Sequence, residues 1–392
     1  ASFLSATGGT FTRASIGTYY DSTGTLQTAA SGLPRFDYDP VTHAAKGLLI
    51  EESRSNLLTY SMTMNTAPWN LARSSVTLGA TTSPDGTANA IKFYNNGTAG
   101  GVYAGYWRTY TANQTYTYSI FAKKAEVASI VIPIYAAVGW IADGNVAFNL
   151  NTGTASVTGT GISSYSITPL PNGWYRCAIT GTFGTTDTYG QYPVTMLSTN
   201  PMDSVSGVYL WGAQLEQGSF PTSYIPTTTA AVMRATDILS IPTASWFSIS
   251  KSTLFLEATA FGRRSFGSFG TGFGSNSSNY FAFPYISTTG FQGALYYRSG
   301  GTGPVLNGTP TLSFNTLYKT AGSYSVPDNV ASYAKNGALS ATGSGVSAMS
   351  SATTLYVGTA PFNSSSATSG HYQKLKYYPT RVTDTQLELL TQ

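Results

Sequence analysis

Between Arg264 and Arg298 the chain carries no Asp, Glu, Lys or Arg for 33 residues, and a second neutral run extends from Asn336 to Gln373. A helix that long beside water needs a polar, usually charged face. These runs instead hold Gly, Ser, Thr and aromatic residues. Rings and β-branched side chains suit a pleated, half-buried surface, and Gly supplies its turns. The same pattern holds along the whole chain, where 41 Gly and 18 Pro punctuate short Tyr-, Val- and Thr-rich stretches. The fold class this dictates is all-β: two tandem antiparallel β-sandwich (jelly-roll) domains after a short extended N-terminal leader.

The boundaries fall at 1–58 for the leader, 59–228 for the first domain and 237–392 for the second. In the leader, Ser22-Thr23-Gly24 reads as a hairpin turn between Thr18–Tyr20 and Thr25–Thr28. Leu48, Leu49 and Ile50 form an apolar patch flanked by charge. So short a segment buries little alone, so it should pack on the next domain, on another subunit or on a larger assembly. In the middle segment Thr115–Ala122 has period two, with Tyr116, Tyr118 and Ile120 on one side. Ser129–Tyr135 carries Pro133, which predicts an edge or a bulge. Asn172-Gly173 predicts a hairpin before the strand Trp174–Phe183, and about eight to ten strands are expected in all. Pro221–Val232 reads as an extended connector. In the last segment Asn336-Gly337 marks another hairpin. Thr383–Leu390, with its Thr/Asp start signal, is the one convincing helix. No helix or simple strand fits Gly262–Tyr280, where Phe266, Phe269 and Phe273 alternate with Gly after Arg263-Arg264; this run is expected to pack at a subunit interface or grip a ligand.

Several chemistries are excluded by scarcity. Charged residues are 9% of the chain, against about 25% in an average soluble domain. The net charge is +4. So thin a basic surface neutralises phosphate poorly, and nucleic acid is not an expected partner. No run of 18 apolar residues predicts membrane insertion. The chain lacks the basic start and apolar core of a signal peptide, and its first residue, Ala1, is expected to follow an initiator Met. With the single Cys177 and two histidines, His43 and His371, no Cys/His zinc cluster can form, and no metal or cofactor is expected. His371, beside Tyr372, reads as a structural histidine. Glycoside hydrolysis needs two opposed carboxylates. Asp37 and Asp39 point the same way on a strand, Glu51 and Glu52 point to opposite faces, and Asp203 and Glu216 are the one further near pair; all read as turn or ion-pair residues. A depolymerase built on a distant pair stays open at this point.

Three stretches carry a resemblance. Gly47–Leu58 (GLLIEESRSNLL) resembles a leader found in phage and prophage virion proteins. Asn172–Arg176 (NGWYR) with Tyr209–Thr227 (YLWGAQLEQGSFPTSYIPT) is similar to the end of the jelly-roll carbohydrate-binding domain that follows that leader. Leu355–Leu390 is similar to the end of a concanavalin-A-like, laminin-G-like domain. The resemblance implies a bacteriophage or gene-transfer-agent surface protein: a head spike, head fibre or tail fibre, made in the host bacterial cytoplasm and placed on the virion surface. It implies a homo-oligomer, often a trimer, with contacts to other virion proteins through the leader. On that reading, deleting residues 1–58 should release soluble protein from particles while glycan binding survives. Calcium, held by acidic loops in laminin-G-like relatives, has no carboxylates to hold it in the neutral runs here.

The partner implied is host surface polysaccharide, and the function a non-enzymatic virion structural protein that promotes adsorption; the alternatives are a capsular polysaccharide depolymerase and a purely structural decoration protein. A sugar offers an apolar C–H face and a rim of hydroxyls, which rings and polar side chains meet. The densest candidate is Gly101–Tyr110, where Tyr106 and Arg108 share one strand face and Trp107 takes the other. Trp140, beside a loop, is a second candidate, and Tyr189 and Tyr192 are a third. In the last domain Tyr296 and Arg298 form a further cluster with Tyr297. The competing place for every one of these rings is the sandwich core or a subunit interface.

Overall fold

The strand Thr115–Lys124 shows how the period-two pattern is used. Tyr116, Tyr118 and Ile120 face one way into the core, as their spacing requires. Thr117, Ser119 and Phe121 on the other face are buried too, so the strand lies at the centre of its sheet with both faces covered. The computed structural model describes residues 7–136, 142–183, 189–196, 201–243, 246–262, 268–287, 290–307, 312–349, 352–359 and 368–392.

The chain is nearly all antiparallel β, arranged as two sandwiches. In the first, a six-stranded sheet centred on Thr115–Lys124 packs on an eight-stranded sheet that includes Ser129–Ala136, Val102–Tyr106 and Tyr189–Gln191. Six and eight strands exceed the eight to ten expected; Trp107 and Tyr192-Pro193, which break longer runs, account for two of the extra pieces. Pro133 lies inside the sheet, one residue from the register shift between Ile134 and Tyr135. Its strand pairs Ala142–Asn149 on one side; on the other, Val131 pairs Thr195 and Tyr135 pairs Gln191, leaving a break opposite the proline that lacks an N–H to donate. The second sandwich has two seven-stranded sheets. The helix Asp384–Leu390 carries a capping box between Thr383 and Gln386 and packs Leu387 against Phe255, Ala321 and Ala334. Asn172 and Asn336, each with positive φ before Gly, turn the expected hairpins.

The Gly/Phe run is corrected. Ser268–Asn276 is a strand, with Phe269 and Phe273 buried. Its glycines serve close packing: a β-carbon at Gly272 would lie 2.5 Å from Ala282 Cβ, and one at Gly270 2.7 Å from Pro284 Cδ. Arg263, Arg264 and Phe266 lie outside the described residues.

Residues of the leader are woven into both sandwiches. Thr10–Thr12 pairs Ile238–Pro242 at the edge of one seven-stranded sheet, and Ala45–Ile50 with Arg35–Tyr38 extends the other beside Gly370–Tyr378. The hairpin Gly17–Tyr20/Leu26–Ala29 lays Leu26 among Phe121, Trp174, Trp211 and Tyr224 on the outer face of the six-stranded sheet. The Pro221–Val232 connector is largely packed too, with Thr222, Tyr224, Ile225 and Thr227 buried. Deleting residues 1–58 therefore removes strands from both seven-stranded sheets, the whole Gly17–Tyr20/Leu26–Ala29 hairpin and the strand Arg54–Asn56 that pairs Val232–Arg234. The expected outcome is insoluble or protease-sensitive protein, measured by soluble yield and limited proteolysis, and not the clean release anticipated from sequence.

A buried ionic cluster joins these parts. Arg35 binds Glu51 at 2.8 Å and also Asp237; Arg13 reaches Asp237 at 3.0 Å and Arg234 reaches Glu51 at 3.1 Å. Glu51 accepts further hydrogen bonds from the Ser223 N–H (2.7 Å) and hydroxyl (2.6 Å). Burial acts to raise the Glu51 carboxyl, but the Arg234 and Arg35 charges and the Ser223 bonds outweigh it and hold the group at about 2. A carboxyl depressed in the fold contributes stability above its unfolded value of about 4.3, and that contribution is lost as pH falls through the folded value. Melting temperature should therefore decline from about pH 4.5 toward pH 2. Glu51→Gln should flatten that decline; an unchanged acid slope in the variant contradicts the assignment to Glu51.

Candidate glycan-binding face

The break opposite Pro133 sorts the side chains of Tyr189 to Tyr192. Tyr189 and Gln191, two apart on one strand, share a face, and Tyr192 turns the other way. Tyr192 is 3% exposed and sits in the core, stacked on Tyr118 at 6.0 Å and edge-on to Tyr110 and Phe183. Burial pushes the hydroxyls of Tyr110, Tyr118 and Tyr192 above the ordinary phenol value. Tyr192 is thus a core ring that a sugar cannot reach.

Tyr189 is 50% exposed and stacks on Trp107, ring centroids 5.4 Å apart and planes 21° from parallel. The two short strands that carry them pair directly, Arg108 with Gly190 and Thr109 with Tyr189. At the foot of this aromatic pair lies Gln191, 2% exposed, whose Oε1 has no hydrogen-bond partner among the described residues. Gly105 makes room for it: a β-carbon there would sit 1.9 Å from Gln191 Oε1. Register adds Tyr135, paired with Gln191, and exposed Asn70, paired with Gly105, to the same face, because directly opposed residues project together. The result is an open aromatic ledge with an amide carbonyl beneath it on the outer face of the eight-stranded sheet.

Tyr106 and Arg108 point to the opposite face from Trp107, as alternation requires, and there they hold structure. Tyr106 meets Trp69 edge-on at 5.5 Å, and its hydroxyl lies 3.3 Å from Thr59 Oγ1. Arg108 donates to the Leu57 carbonyl at 2.9 Å, with its guanidinium 5.8 Å from the centre of the Tyr110 ring. Neither is a group for a sugar rim at this ledge. Trp140 lies outside the described residues. Tyr296 and Arg298 are on the second sandwich, where Arg298 lies 5.8 Å from the Tyr296 ring centre and donates to the Gly303 carbonyl; Tyr296 in turn meets Tyr285 at 5.0 Å and Phe269 at 5.3 Å. Of the expected residues, Trp107 and Tyr189 are brought together on the first sandwich and Tyr296 and Arg298 on the second. Gln191 and Gly105 were missed, although the two-residue spacing from Tyr189 and from Trp107 was the signal available.

Asp37, Asp39, Glu51, Glu52, Asp203 and Glu216 are tied into structure. Asp37 holds His371 Nε2 at 2.6 Å and accepts from the Tyr20 N–H at 2.7 Å. Glu52 pairs Arg54, Asp39 pairs Lys46 at 3.1 Å, and Glu216 accepts from the Thr222 N–H at 3.0 Å and from its hydroxyl. Asp203 accepts from Ser206 and Val205 in a turn. Among the described residues no group of three or more His, Cys, Asp or Glu could hold a metal ion.

No protein-family model and no curated protein matches the chain. Among solved structures, it is similar to the CBM40 of Ruminococcus gnavus IT-sialidase bound to α2,3-sialyllactose (TM-score 0.32, 13% identity, 37% of this chain and 84% of that one). It is also similar to domain 4 of a GH43 extracellular arabinanase from Geobacillus stearothermophilus in complex with arabinotriose (0.33, 12%, 45% and 82%). A heptameric SAP-like pentraxin from Limulus polyphemus is a third (0.30, 14%, 35% and 68%).

Proposed function

We propose that this chain is a non-enzymatic carbohydrate-binding structural protein of a virion, a head spike, head fibre or tail fibre, and that it binds host surface polysaccharide through the Trp107–Tyr189 ledge. The observation that carries the reading is the stacked Trp107–Tyr189 pair on the outer face of the sheet, with Tyr189 half exposed: rings for the C–H face of a pyranose. Arg108 is turned away and bonded to Leu57, which favours an uncharged sugar at this place. The tied carboxylates, and the Cys177 thiol pushed up by burial, support binding over hydrolysis. Placement on a virion is supported by the Gly47–Leu58 and Tyr209–Thr227 resemblance. A shallow site binds weakly, so display as a trimer would raise retention by avidity.

A glycan array probed with the whole chain tests this. Retention of uncharged glycans with no released sugar is the expected result. Sugar release points to the depolymerase, and an array without hits, together with normal adsorption of particles lacking the protein, to pure decoration.

A further inference from the structure

We infer that the second sandwich carries a slot for an extended segment of another protein, one that alternates apolar with acidic residues. The strand Gly370–Tyr378 pairs Ala45–Ile50 through three residues only, Gly370 with Ile50, His371 with Leu49 and Tyr372 with Leu48. There the two strands part. Gly47 takes a φ of 97°, and a β-carbon on it would lie 2.4 Å from the Tyr372 carbonyl oxygen. From Lys374 to Tyr378, beyond a bulge at Gln373, the strand keeps its partner Lys251–Ala260 on one side and has no strand on the other among the described residues. Such an edge presents unpaired N–H and C=O groups over five residues, about 17 Å of strand.

Beside that edge opens an apolar cavity of about 310 Å³. Phe36 and Leu48 from the leader wall it, Leu239, Leu256 and Val357 reach it from the sandwich core, and Gln373–Leu375 form its rim. Phe36, one of its lining residues, is more than half exposed. A free strand edge next to a pocket for an alternate side chain is the geometry by which a peptide adds to a sheet, main chain giving affinity and the pocket giving choice. The exposed cations on the edge select the sign of the guest. Lys374 is half exposed, 3.6 Å from Glu257, and exposed Lys376 stands 5.8 Å from the Phe255 ring centre. The inference is independent of the glycan reading, since it uses the other sandwich.

The test uses the full chain and a seven-residue peptide alternating glutamate with valine and leucine, followed by hydrogen exchange and fluorescence anisotropy. The expected result is slowed exchange at Lys374–Tyr378 alone, by about tenfold or more. Lys374→Glu with Lys376→Glu, both on exposed residues, should weaken the peptide about tenfold, and a peptide with lysine in place of glutamate should not bind. Leu48→Trp fills the cavity and should also abolish binding; the charge-reversal pair decides if that variant does not fold. No slowing at about 1 mM peptide overturns the inference. So does slowing that grows with protein concentration in the absence of peptide, which assigns the slot to a second copy. Binding of decanoate without binding of peptide likewise overturns it and assigns the cavity to small amphiphiles.

Discussion

Arg35→Ala is expected to lower the melting temperature by about 10 °C. Arg35 is fully buried and bridges Glu51 and Asp237, two carboxylates that are themselves buried. Its guanidinium also donates to the Thr18 carbonyl at 2.9 Å and to the Ser223 hydroxyl at 2.8 Å, so one residue ties the N-terminal hairpin and the end of the first sandwich to the start of the second. Building such a cluster is not in itself strongly stabilising, because desolvation offsets attraction. Removing one member is different: it leaves buried charge without its partner, at a cost of about 3–5 kcal/mol. Differential scanning calorimetry reads the shift. Arg35→Lys, which keeps the charge but not the fork, should recover part of it. A shift under about 1 °C for Arg35→Ala would show that water reaches the cluster and replaces the lost partner.

Replacing Trp107 and Tyr189 together with Ala should reduce glycan affinity on the order of a hundredfold while leaving the fold intact. Each ring contributes up to about 1.5 kcal/mol of face contact, and about 3 kcal/mol is two decades in Kd. Stability should hold because Tyr189 is half exposed and the pair lies outside the sandwich core. Tyr192→Ala provides the contrast. It opens a cavity among Tyr110, Tyr118 and Phe183 and should cost about 3–5 kcal/mol of stability. Titration calorimetry and thermal melts on both variants separate the two roles. If the double variant binds as the wild type does, the ledge is not the site.

What could be read from the sequence was local. Asn172-Gly173, Asn336-Gly337 and the Thr383 cap depend on neighbouring residues, and the side shared by Tyr116, Tyr118 and Ile120 follows from strand period. The three-residue spacing of Tyr189 and Tyr192 already places them on opposite faces; which face is wet needs the fold. The insertion of Ala45–Ile50 beside Gly370–Tyr378 joins residues more than 300 positions apart, and no local signal specifies it. For the same reason Glu51 and Glu52, correctly read as structural, gave no hint of Arg234 or of the cluster between the sandwiches. The Gly/Phe run misled because glycine reads as a turn signal, whereas Gly270 and Gly272 are needed for close approach within a sheet. Arg108 looked like a hydroxyl donor until its carbonyl partner, Leu57, was placed 51 residues away.

Hydrogen exchange of the whole chain, with and without a saturating uncharged oligosaccharide retained on the array, is the most direct measurement. Slowed amides confined to Val102–Thr109 and Tyr189–Gln191, and lost protection in the Trp107→Ala/Tyr189→Ala variant, are the predicted result. Protection that falls on the second sandwich instead, or that persists in the variant, contradicts the ledge as the place where sugar is held.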